Sequence, residues 1–300
     1  MHEQEQFDQA IQIYQQAITC QPNFIEPYNN LGALLKEQRK FDQAIQVYQQ
    51  AIEIAPDNAE IHNNLGVIFQ ELGKLKESTK SYYQAIKINP QFAEAHKNLG
   101  ILLLLKGELN NGWKHYEWRN KCDDFPTGNR ISPQRVWDGS NIEGKSILVW
   151  AEQGIGDQIM FASIFGDLLK TKANTIVECE QRLIPLFQRA FPKIDFVPKE
   201  HPIQPRLLDN IINYQVSMAG LGRWFRPEER NFLSNKNFYL YPHPRKTSEI
   251  RHKYRKLAYG KMLVGISWKS TGIDQKRTII KSTSLRRLES CFVETGLFFC

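Results

Sequence analysis

A period of 34 residues runs through the first third of the chain and constrains its fold more than any other feature. Phe7, Phe41, Leu75 and Leu109 stand one period apart. Ala10, Ala44 and Ser78 keep the same step, as do Tyr14, Tyr48 and Tyr82, and Ala17, Ala51 and Ala85. Pro22, Pro56 and Pro90 follow these segments, and Leu31, Leu65 and Leu99 each precede a glycine, at Gly32, Gly66 and Gly100. Within a unit, Leu31, Leu35, Tyr48 and Ile52 recur at helical spacing and form a seam. Proline lacks an N–H and stops the helix before the next unit. Small residues at Gly32 and Ala44 let paired helices approach closely. A period of this size means stacked helical hairpins, none of which buries its apolar face without a neighbour.

The pattern predicts repeats over residues 1–120: a lone second helix near Phe7–Cys20, full units at 25–58 and 59–92, and a last unit from 93. The last unit departs from the pattern after Asn110, where Gly112, Trp113 and Trp118 replace the usual small residues, so it reads as a cap that meets the next domain. These residues resemble the tetratricopeptide repeat. Asn30, Asn64 and Asn98 share one slot, just before the Leu-Gly pair, on the helix that lines the inner, concave face of such arrays. Side-chain amides in a row hydrogen-bond an extended peptide without reading its sequence. The row resembles the asparagine ladder of protein O-GlcNAc transferases, which implies a protein or peptide partner on the concave face. The alternative is that each Asn satisfies groups of its own helix.

Residues 121–144 lose the helical period and carry turn residues, among them Pro126, Gly128, Pro133 and Gly139, so they read as a structured linker with Trp137 as a packing anchor between domains. Ser146–Trp150 then reads as a buried parallel strand, followed by Glu152-Gln153-Gly154-Ile155-Gly156-Asp157 and a helix over Gln158–Leu169. Further strands are predicted at Thr175–Cys179 and Asp195–Val197, with one near Ile211–Tyr214 and a helix near Arg182–Phe191. Alternating strands and helices define an α/β domain, here over 145–244. A dinucleotide fingerprint is excluded, because Ile159 stands where the third glycine belongs and Asp157 would repel a pyrophosphate at the helix start.

The turn, behind a repeat array and a Trp-x-Gly element (Trp137, Gly139), resembles the start of GT-B glycosyltransferases related to bacterial heptosyltransferases, notably those fused to TPR repeats. The resemblance implies a Rossmann-like first half and inverting, metal-independent sugar transfer from a nucleotide-sugar. It makes Asp157 the general base, with Glu152, Gln153, Gly154 and Gly156 forming the acceptor-side turn. A carboxylate at a helix N-terminus also caps that helix, and the glycines also suit a tight turn. Arg245–Lys261 is predicted as an exposed basic helix, Met262–Trp268 as a strand, Ser284–Thr295 as a helix and Leu297–Cys300 as a strand. This block, 245–300, resembles the opening of the second GT-B half, which implies donor contacts from Lys269, Ser270, Thr271, Lys276 and Arg277. About 40 residues follow the bridging helix, fewer than such a half requires, so the resemblance implies an incomplete donor site.

Charge divides along the same line. Residues 1–120 carry 11 basic and 14 acidic side chains, net −3, whereas 121–300 carry 28 and 18, net +10. The basic part suits an anionic ligand such as a nucleotide diphosphate, or is simply a solvated surface. The five cysteines form no C-x-x-C pair and read as reduced thiols rather than a metal site, and no D-x-D motif appears. No cofactor and no nucleic-acid partner are implied. The longest aliphatic run, Ile101–Leu105, falls far short of the roughly 20 residues that span a bilayer, and no signal peptide is legible, so a cytoplasmic location is expected. Two functions follow: a TPR-containing glycosyltransferase whose array binds the acceptor, or a non-catalytic TPR interaction scaffold with a degenerate or truncated transferase domain.

Overall fold

The structure, a computed structural model, describes residues 2–123, 132–152, 154–232 and 239–258. Met1–Tyr239 form one compact unit and Leu240–Cys300 a second. In the first unit, seven helices come first: α1 (His2–Cys20), α2 (Ile25–Glu37), α3 (Phe41–Ile54), α4 (Ala59–Glu71), α5 (Leu75–Ile88), α6 (Ala93–Leu105) and α7 (Leu109–Tyr116). They pair as the period requires, with α2 on α3, α4 on α5 and α6 on α7.

The hairpin seam is a tyrosine ring laid over a glycine. A Cβ on Gly32 would fall 2.4 Å from the Tyr48 ring, and one on Gly66 would fall 2.7 Å from Tyr82. Both rings are almost fully buried. Burial also pushes both phenols above their ordinary pKa. Ser78, at the Ala44 slot, is buried too, and its hydroxyl donates to the Gly66 carbonyl at 2.8 Å. A second recurring tie fixes the turn between units. Tyr28 Oη, His62 Nε2 and His96 Nε2, one period apart, reach the carbonyls of Pro22, Pro56 and Pro90 at 3.0, 2.9 and 3.2 Å.

The cap departs from this scheme. At Gly100 the neighbour is the backbone of Tyr116, 2.4 Å from a virtual Cβ, so α7 lies closer to α6 than its counterparts do to theirs. The 3₁₀ turn Glu117–Lys121 continues α7. Here His96 Nδ1 meets His115 Nδ1 at 2.8 Å, and His96 stacks on Trp118 with centroids 4.0 Å apart and Lys121 Nζ over the indole. The Pro90 carbonyl only accepts, so His96 Nε2 carries its proton and Nδ1 accepts from His115.

The sheet is all parallel, ordered β1 (Arg135–Val136), β5 (Tyr214–Ser217), β2 (Ser146–Trp150), β3 (Asn174–Cys179), β4 (Asp195–Pro198). Ile147 pairs with Thr175 on one side and Tyr214 on the other. The short edge strand β1 is absent from the sequence expectation because two exposed residues carry no pattern. The fourth strand begins at Tyr214, later than expected, since Tyr-Gln-Val-Ser has little apolar contrast. The helix expected over Gln158–Leu169 is two, α8 (Ile155–Ala162) and α9 (Phe165–Lys170). The break turns Ile164, Phe165 and Leu168 inward, and Phe165 meets Phe187 of α10 (Ile184–Ala190), Phe191 and Phe196 of β4 at 5.5–6.1 Å. Trp137, expected as a packing anchor between domains, packs on Trp224 and Phe225 of α11 (Leu221–Phe225). Gly139 has φ +86° and a virtual Cβ 2.4 Å from the Trp224 ring, which explains the Trp-x-Gly element as packing. In the second unit, α12 (Pro244–Ala258) is an exposed basic helix with an Arg245–Glu249 pair at 2.9 Å. The two strands and the helix expected beyond it lie outside the described residues.

Two outcomes are expected. A glycine-to-alanine change in a helix ordinarily stabilises by about 1 kcal/mol, but at Gly66 the added methyl overpacks against a buried ring, which costs about 1–3 kcal/mol. Gly66→Ala therefore lowers the thermal midpoint. Burial holds the His96 and His115 pKa values below the ordinary value near 6.5. The unfolded chain then binds more protons near that pH, so this contribution is complete above it and is lost as pH falls through the depressed values. Denaturation at pH 7 and pH 5 will show a smaller pH-dependent loss in His115→Asn than in the unaltered chain.

Candidate functional site

Three places collect the residues that sequence reasoning singles out. On the inner helices, Asn64 Nδ2 donates to Asn29 Oδ1 at 2.8 Å and Asn98 Nδ2 to Asn63 Oδ1 at 3.0 Å, while Asn63 Nδ2 reaches Asn64 Oδ1 at 3.4 Å. The row therefore links consecutive repeats to one another. Each bonded amide nitrogen keeps a second hydrogen, and Asn30 is exposed at the first position. Asn29 and Asn63 were legible in principle, because Asn-Asn doublets recur one period apart, at 29–30 and 63–64. Asn63 and Asn64 line a hollow of about 740 Å³ with Asp57, Glu60, Ile88, Phe92 and Glu94.

The second place is the crest of the sheet. From β2 the chain steps outward to β3 and β4, then returns to the other side of β2 as β5. Loops after β2 and β5 thus diverge at a switch point, where open α/β sheets hold their ligands. Among the described residues, a buried ion pair lies between these two loops. Arg119, at 0% exposure, comes from the 3₁₀ turn that ends the array and enters between the two loops. Its Nε and Nη2 donate to Glu152 Oε2 at 3.2 and 2.9 Å, and Nη2 also donates to Glu152 Oε1 at 2.9 Å and Ser217 Oγ at 2.8 Å. Glu152 Oε1 further accepts from the Ala219 N–H at 2.9 Å. Burial opposes the charge on Arg119, but the carboxylates of Glu152 and Glu117 hold its pKa above the usual value. Burial also pushes the Glu152 carboxyl up, against the pull of Arg119. Both Glu152 oxygens accept hydrogen bonds, so the ionised pair fits this geometry.

Glu152, expected in the acceptor-side turn, is buried, and its oxygens accept from Arg119 and the Ala219 N–H. Gln153 lies outside the described residues. Gly154 and Gly156 are exposed with negative or unexceptional φ, and a Cβ on Gly156 would meet nothing within 4 Å. Asp157 is half-buried in the first turn of α8. The expected donor contacts Lys269, Ser270, Thr271, Lys276 and Arg277 lie outside the described residues. No sequence signal marked Arg119, which is one cation among many.

The third place is the joint. Trp113 Nε1 donates to the Arg226 carbonyl at 2.8 Å, and its ring lies on Gly222, where a Cβ would come within 2.6 Å. Arg226 pairs with Asp167 at 2.8 Å; although burial acts to raise the Asp167 carboxyl, Lys170 and Arg226 hold it below its ordinary pKa. Above this joint, a mainly apolar pocket of about 370 Å³ is bounded by Ile101, Leu104 and Trp113 of the array and by Met160 and Phe161 of α8, with Asp157 also lining it. Among the described residues, no group of His, Cys, Asp or Glu is placed to hold a metal ion. Cys122 and Cys179 are buried and Cys20 exposed, and burial pushes the Cys179 thiol up to about 12. No helix among the described residues is long and apolar enough to cross a membrane.

The repeat geometry defines the class: the first part of the chain is a tetratricopeptide-repeat solenoid, followed by a parallel-sheet region. A family profile described as TPR repeat matches residues 1–39, 34–73 and 68–107. Among curated proteins, FlbA of Caulobacter vibrioides is 27% identical over 153 residues, covering 47% of this chain and 25% of that protein. The chain thus spans about a quarter of that relative's length. Among solved structures, a crystal structure of MamA aligns at a TM-score of 0.36 and 23% identity over 39% of this chain and 68% of that one. MamA from Desulfovibrio magneticus aligns at 0.35 and 18%, over 41% and 72%.

Removing one partner of a buried ion pair costs about 3–5 kcal/mol, whereas an apolar replacement of both is often neutral. Arg119→Met is therefore expected to destabilise strongly in chemical denaturation, and Arg119→Met with Glu152→Leu to recover most of the loss.

Proposed function

We propose that this protein is a protein-interaction scaffold: the repeat array binds a partner on its inner face, and the α/β region holds the end of the array rigid. The observation that carries this reading is Arg119. Its buried pair with Glu152 lies between the loops after β2 and β5, at the switch point where sheets of this order commonly receive a small ligand. TPR repeats bind protein partners, and the recurring amides of Asn30, Asn64 and Asn98 offer backbone-directed hydrogen bonds.

A second reading is sugar transfer from a nucleotide-sugar to a protein or glycan hydroxyl, with Asp157 as base. Its support is narrower: Gly154 and Gly156 are exposed beside Asp157 without any internal steric need for glycine. The two readings separate in one set of measurements. A partner captured from the native host should be lost at least fivefold by the triple change Asn30→Ala, Asn64→Ala, Asn98→Ala, and calorimetry should show no binding of uridine or adenosine diphosphate sugars at millimolar concentration. Sugar transfer that Asp157→Asn abolishes would reverse the order of the two.

A further inference from the structure

The charge of the inner face repeats with the period. Glu26, Glu60 and Glu94 stand one period apart in the first turns of α2, α4 and α6, four residues ahead of Asn30, Asn64 and Asn98 on the same helix face. The charged side chains lining the hollow between the second and third units are Asp57, Glu60 and Glu94, all acidic. A first-turn glutamate also favours its own helix dipole. That accounts for each Glu singly, but not for a hollow whose charged lining has one sign.

The face changes character along α6. Two turns beyond Glu94, and about 10 Å along the axis, Ile101 is 42% exposed and Leu105 68% exposed. Ile101 opens the apolar pocket at the joint, where Met160 is also 54% exposed. An acidic hollow and an apolar pocket thus share one helix face, and each independently describes part of a ligand. Neighbouring helices pack about 10 Å apart, and an extended chain advances about 3.3 Å per residue, so each rung matches about three residues of a bound strand.

We infer that the inner face takes an extended cationic segment of a partner protein, with basic side chains at every third residue over Glu26, Glu60 and Glu94 and a bulky apolar side chain in the pocket lined by Ile101, Leu104 and Met160. This rests on the scaffold reading above. The cations meet carboxylates that are partly open to water, the Asn amides hold the backbone, and the apolar residue sets the register.

The test is fluorescence anisotropy of the full chain with labelled (Lys-Ser-Ser)4-Phe and its counterparts with Gln or Glu for Lys, or Ala for Phe. The Lys peptide should bind at least tenfold more tightly than the Gln peptide, the Glu peptide should bind weakest, and affinity should fall steeply between 50 and 300 mM salt. The triple variant Glu26→Gln, Glu60→Gln, Glu94→Gln should lose at least tenfold and most of the salt dependence. The equal charge change Asp42→Asn, Glu53→Gln, Glu77→Gln, on α3 and α5, should leave binding unchanged. Ile101→Ser should weaken the Phe peptide several-fold and the Ala peptide not at all. Circular dichroism and thermal midpoints confirm that each variant is folded. Equal binding of Lys and Gln peptides, or equal loss in both triple variants, overturns the inference while leaving the scaffold reading intact. Capture of a host partner that no Glu variant weakens overturns it as well. Failure to bind any peptide together with failure to capture any partner overturns the scaffold reading itself.

Discussion

The buried pair of Arg119 and Glu152 is the constraint on which the first unit of this molecule depends. A guanidinium at 0% exposure is tolerated because two carboxylates, a hydroxyl and a backbone carbonyl surround it. Those partners come from separate parts of the chain: the cap of the array, the loop after β2 and the end of β5. Such an ion pair is directional, so it fixes orientation as well as proximity. Trp113, lodged on Gly222 and bonded to the Arg226 carbonyl, adds apolar area to the same joint. This is why residues 1–239 form one compact unit although their composition and periodicity change abruptly near residue 121.

Within the array, stability is distributed rather than centred. Each hairpin is closed by one tyrosine ring on one glycine, and each junction by a side chain on a proline carbonyl. The asparagines add hydrogen bonds between consecutive units on the inner face. A solenoid stabilised by nearest-neighbour contacts transmits a disturbance only to adjacent repeats. The cap is different, because its backbone approaches α6 more closely and its aromatic stack of His96, His115 and Trp118 leads directly into the turn that carries Arg119.

The first unit carries an acidic, amide-lined hollow on the repeats and an apolar pocket where α6 meets α8. Asp157 stands in the wall of that pocket.

Periodicity alone determined the repeats, their helix pairing, the helix ends just before Pro22, Pro56 and Pro90, and the small residues opposite Tyr48 and Tyr82, because those features are local and recur at a fixed step. The strand Ser146–Trp150 was equally legible, since a strand buried on both faces needs an unbroken apolar run. The edge strand β1, the break between α8 and α9 and the packing of Trp137 on α11 depend on distant neighbours and left no periodic trace. The asparagine row was legible as a row, but its bonds to Asn29 and Asn63 appear only when consecutive repeats stack. Glu152 belonged to a recognisable turn, yet its role was decided by a residue 33 positions away. A lone arginine carries no pattern in a sequence; the tertiary structure alone set where its charge was buried and which partners hold it.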